Sequence, residues 1–186
     1  MTPALEAAYA EPHRAYHTGA HIADCLAKLA RIEGLGGHQR QLLTWAIWWH
    51  DAIYDPARPD NEEASAEMAR RDLADMGVGR ADLDEVARLI LLTKGHTTQP
   101  GDRLGALMVG IDLSILGEAP EIYDAYAQAV RREYAHVPEA AFRAGRAGVL
   151  RRFLEAPHLF ADPDLRIAYE ARARENLARE IATLES

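Results

Sequence analysis

The sequence predicts an all-α protein, and three observations carry that expectation. Apolar residues recur at three- and four-residue intervals along most of the 186-residue chain. Strict alternation of apolar and polar residues is missing, and β-branched runs are few. The breaks between periodic stretches are short clusters of Gly, Pro and Asp. With 48% hydrophobic residues the chain can bury a substantial core. The expectation is a single domain over residues 1–186, a bundle of about eight or nine helices of roughly 10–20 residues each.

A short helix is expected at 3–10, ending near Pro12. A second runs from His17 to the glycine stop at Gly34, with Ile22, Cys25, Leu26 and Leu29 as its apolar stripe. The third covers about 38–52 and carries most of the stretch LLTWAIWWHDAIYD (42–55), a bulky apolar run that leads into His50-Asp51. After a loop with two prolines, Asp60 and Glu63 read as a capping box for a helix ending at Gly77. The next helix starts near Asp82 and closes at Gly95-His96. The segment at 102–117 is apolar nearly all round, which predicts a buried helix with Asp112 in its middle. Pro120 and Pro138 suit the first turns of two further helices. Asp162-Pro163 pairs a cap with a first-turn proline for the last helix. There Leu177, Ile181 and Leu184 form a stripe for the chain's own core or for a second copy in a homodimer.

Charge and composition narrow the function. The formal net charge is −8, which argues against gripping extended nucleic acid through its phosphates. A single cysteine, Cys25, rules out an internal disulfide framework and a thiolate-rich metal site. No basic leader followed by an apolar core is visible, and no apolar run nears the roughly 20 residues that span a bilayer. A cytoplasmic protein with no membrane partner is the expectation.

His50-Asp51 is the chemical focus, because both side chains are costly to bury without partners. His17 and His21 share a helix face at i, i+4, and Asp112 lies within an apolar segment. A divalent cation held by imidazole nitrogens and carboxylate oxygens accounts for these burials together. The set suits manganese, iron, cobalt, nickel, zinc or magnesium. The bland alternatives are a helix C-terminus favouring His50, and an Asp112 paired with an arginine such as Arg103 or Arg131.

The order His21, His50-Asp51, Asp112 resembles the H…HD…D signature of the HD superfamily of metal-dependent phosphohydrolases. The stretches YHTGAHI, WWHDAIYDP, DNEEASA and DLSILG look like a branch described as predicted HD-type phosphohydrolases, and the likeness covers about residues 9–134. It implies an all-α fold with His21, His50, Asp51 and Asp112 as metal ligands. It also implies hydrolysis of a small phosphorylated substrate such as a nucleotide. Asp55 matches an acidic residue that activates water in several members. Tyr54 stands where some nucleotidases of the family carry a Glu, and Glu62 or Glu63 is the substitute. Arg14 resembles an arginine that contacts substrate phosphate, Lys94 would add positive charge, and His17 or His96 would bind a second metal or donate to phosphate. The rival reading is a non-catalytic metal- or nucleotide-binding protein that keeps the frame.

Overall fold

In a computed structural model that describes residues 2–186, every regular element is helical. The α-helices are α1 (Pro3–Tyr9), α2 (Gly19–Arg31), α3 (Gly37–Trp49), α4 (Asn61–Asp75), α5 (Arg80–Gly95), α6 (Arg103–Asp112), α7 (Pro120–Glu133), α8 (Glu139–Glu155) and α9 (Pro163–Glu185). A 3-10 segment, Leu113–Gly117, follows α6 directly. Among the described residues no helix is long and apolar enough to cross a membrane.

The chain divides into two compact units, with the boundary in the sequence between Ile111 and Asp112. In the first, α3 packs on α2, α4 and α5, and α4 packs on α5. Ile22, Leu43, Ile47, Leu73, Leu89 and Ile90 are fully buried there. Arg88 of α5 grips Asp102 at 2.6 and 3.1 Å, and Asp102 Oδ1 accepts the Gly105 amide of α6 at 2.9 Å. In the second, α9 packs on α8 and on the 3-10 segment. The Nδ2 of buried Asn176 donates to Leu116 O and Glu118 O at 2.9 and 3.0 Å. Arg146 and the Tyr123 hydroxyl both engage the Glu180 carboxylate, tying α7, α8 and α9 together.

Several expected boundaries move, each for a local reason. Helix α2 starts at Gly19 rather than His17, because Thr18 is its cap and accepts the Ala20 amide. Helix α3 stops at Trp49. The Ala52 amide reaches back only three residues, to Trp49 O, so the last turn tightens and the helix ends. Asp60 does precede α4, but its carboxylate binds Arg58 and Glu63 binds Lys94, so no capping box forms. The residue that closes α5 in the left-handed region is His96, with φ 51°. Asp112 lies at the junction of α6 with the 3-10 segment, not mid-helix. On α9, Leu177 is fully buried, while Ile181 and Leu184 are half-buried.

Candidate metal centre

The first turn of α2 and the end of α3 bring three ligand atoms together. His21 is the third residue of α2, and His50 is the residue just past α3. His21 Nε2 lies 3.3 Å from His50 Nε2 and 3.7 Å from Asp51 Oδ2, and His50 Nε2 lies 3.0 Å from Asp51 Oδ2. A point inside this triangle is about 2 Å from all three atoms, the distance at which imidazole and carboxylate ligands hold a transition metal.

The proton arrangement supports the same conclusion. His50 Nδ1 lies 2.9 Å from the Ile47 carbonyl, which can only accept, so that nitrogen carries the hydrogen. In the neutral ring Nε2 then offers a lone pair toward the centre. Holding the far nitrogen on a carbonyl is how metal-binding histidines are oriented. Asp51 Oδ2 is buried and receives no hydrogen bond. Such an orphaned oxygen is expensive unless a cation meets it. Burial pushes the Asp51 carboxyl up, but the positive charge that His50, His17 and His21 carry when protonated outweighs it and holds the group well below the usual carboxylate range.

The backbone beneath the pair is fixed by side chains. Arg14 donates to Asp51 O at 2.6 Å and to Ala52 O at 3.1 Å. Ser65 Oγ accepts the Ile53 amide and donates to the Ile53 carbonyl. His13 Nε2 meets Tyr54 O at 2.8 Å, and Asn61 bonds both the amide and the carbonyl of Asp55. The buried Tyr9 hydroxyl donates to Trp48 O at 3.0 Å. Burial, and next the charge of Asp51, push that phenol up, so it stays a donor. Trp49 is buried and its indole donates to Asp72, whereas Trp45 and Trp48 are half-buried.

Among the described residues the ligand-type cluster comprises His21, His50 and Asp51, and the other predicted residues have surroundings of their own. His17 stacks on Tyr54 at 4.1 Å between ring centres and meets the His21 ring edge-on at 6.2 Å. Arg14 sits behind the ligand turn, with its side chain wholly covered. Asp55 is exposed, and its Oδ1 accepts the Ala57 amide in a local turn. Glu62 is half-buried on the first turn of α4. Lys94 donates to Glu63 and to Pro59 O. Asp112 is half-buried and begins the second unit. Arg103 donates to Glu33 O and Gly34 O, and Arg131 engages Glu139. His13, Asn61 and Ser65 were not marked by spacing. Their signal is that short polar side chains beside a turn bond its backbone.

No protein-family model matches this chain, and no curated protein or solved structure is significantly similar to it.

Proposed function

We propose that this chain is a divalent-metal-dependent phosphohydrolase of the HD type, acting on a small phosphate ester such as a nucleotide. The observation that carries the reading is the buried, donor-less Asp51 Oδ2 facing the Nε2 atoms of His21 and His50. Two imidazoles and a carboxylate without thiolate suit manganese, iron, cobalt, nickel, zinc or magnesium. Asp112 is proposed as a fourth ligand on its place in the H…HD…D order alone. The net charge of −8 supports a small substrate over extended nucleic acid. A lone, buried thiol at Cys25 supports a reducing, cytoplasmic setting.

A bound divalent cation would supply Lewis acidity and lower the pKa of water. The chain's own groups have separate tasks. A neutral His50, with Nδ1 held on the Ile47 carbonyl, would present its Nε2 lone pair to the ion, and Asp51 would supply the ionised carboxylate beside it. His17, half-buried beside His21, is proposed to donate to a substrate phosphate oxygen or to bind a second metal. Asp55 and Glu62 are the carboxylates proposed to take a proton from the attacking water. Lys94 would bind phosphate by exchanging Glu63 for it.

One observation favours the second reading, a non-catalytic metal- or nucleotide-binding protein: Asp55 Oδ1 is occupied by the Ala57 amide. Chelator-stripped protein reloaded with each candidate metal and assayed on phosphate mono- and diesters separates the two. Hydrolysis that depends on metal and is lost in His50→Ala supports the enzyme. Stoichiometric metal uptake with no ester cleaved under any metal refutes it in favour of the binding protein.

A further inference from the structure

Between α3 and α4 no helix satisfies the backbone, so the turn that follows His50 must find its partners elsewhere. It finds them in side chains. The Arg14 guanidinium spans two successive carbonyls, Asp51 O and Ala52 O, and also donates to His17 O at 3.1 Å. Glu11 takes its Nε at 2.9 Å and neutralises its charge. The flat, five-donor fork addresses the two carbonyls through two separate nitrogens held in one plane, a fixed geometry that a single-nitrogen ammonium does not reproduce. Ser65, with no exposed surface, closes on both polar groups of Ile53.

We propose that Arg14 and Ser65 are positioning residues for the His50–Asp51 pair: they lock the turn so that Asp51 Oδ2 stays aimed at the two imidazoles. The inference rests on the metal reading above. It assigns Arg14 a task other than touching substrate phosphate, since its side chain is covered and each of its three nitrogens already has an acceptor. Removing the lock leaves all three ligand side chains in the chain but lets the carboxylate swing.

The test is cobalt(II) binding to the full chain, read by affinity and by the visible ligand-field spectrum, in wild type, Arg14→Lys and Ser65→Ala. Loss of an outer partner of a metal ligand typically weakens affinity by about 10–100-fold. We expect a loss of that order in both variants, with an altered spectrum and an unchanged helical circular-dichroism signal. Arg14→Lys keeps the charge and loses the fork, so failure of Lys to rescue binding marks geometry as the cause. Should Arg14→Lys not fold, Ser65→Ala, a smaller change, decides alone. Wild-type affinity and spectrum in the folded variants overturn the proposal. So does a raised KM with metal binding intact in Arg14→Lys, which returns Arg14 to the substrate. Wild-type protein that takes up no cobalt removes the metal reading itself, and the positioning role falls with it.

Discussion

His50 and Asp51 are neighbours in sequence, and their Nε2 and Oδ2 atoms stand 3.0 Å apart while Asp51 Oδ2 accepts no hydrogen bond. The His50 Nδ1 hydrogen points away, to the Ile47 carbonyl. With His21 these atoms form a group that could hold a metal ion. An ion bound there would stabilise the fold, because unfolding scatters its ligands. At a free metal concentration about 100-fold above Kd the gain is about 2.7 kcal/mol, which for a chain of this size corresponds to roughly 5–10 °C in Tm. Differential scanning calorimetry with and without chelator should show that rise for wild type and not for His50→Ala.

Asp112 can be tested apart from the other three ligands. If it completes the set, Asp112→Ala lowers metal affinity about 10-fold or more while the His21, His50 and Asp51 triangle remains. Calorimetric titration with manganese measures this. An Asp112→Ala protein with wild-type affinity and stoichiometry takes Asp112 out of the site.

Much of the all-α architecture was legible in the sequence, because helical periodicity and Gly or Pro stops are local signals. The pairing of His21 with His50-Asp51 was legible only through the H…HD…D order, since helix spacing alone left His17 and His21 on the same face. The end of α3 was not. The tight turn after Trp49 is held by Arg14, which donates to Asp51 O and Ala52 O from 37 and 38 residues away. The capping box at Asp60 and Glu63 failed for the same kind of reason: Arg58 and Lys94 compete for those carboxylates. Pattern rules see residues within a turn or two, and these partners lie outside that window or offer a charge where the rule assumes none.

Asp102 sets a pH dependence in the first unit. Burial pushes its carboxyl up, but Arg88 and the Gly105 amide together bring it below its ordinary value. A depressed folded pKa adds stability that is present above the unfolded value, near 4, and is lost as pH falls through the folded one. Asp102→Asn should therefore be less stable than wild type at pH 6, and the gap should close as pH drops below about 4. Urea midpoints across that range report it.

Gly117 ends the 3-10 segment where a side chain has no room. A Cβ there would lie 2.6 Å from the Tyr169 carbonyl oxygen and 2.8 Å from its Cα. Backbone cannot give way as a flexible side chain can, so Gly117→Ala should cost about 1–3 kcal/mol. The same change at Gly145, whose Cβ would meet nothing within 4 Å, should be neutral or slightly stabilising. Thermal melts of the two variants make the comparison.

The measurement that bears most directly on the central claim is metal content by elemental analysis after chelator stripping, reloading with manganese or cobalt, and gel filtration. It compares wild type, His21→Ala, His50→Ala and Asp51→Asn. The account predicts stoichiometric metal in wild type and its loss in each variant, with all four proteins equally helical by circular dichroism. Wild type that retains no metal, or variants that retain as much as wild type, would contradict it.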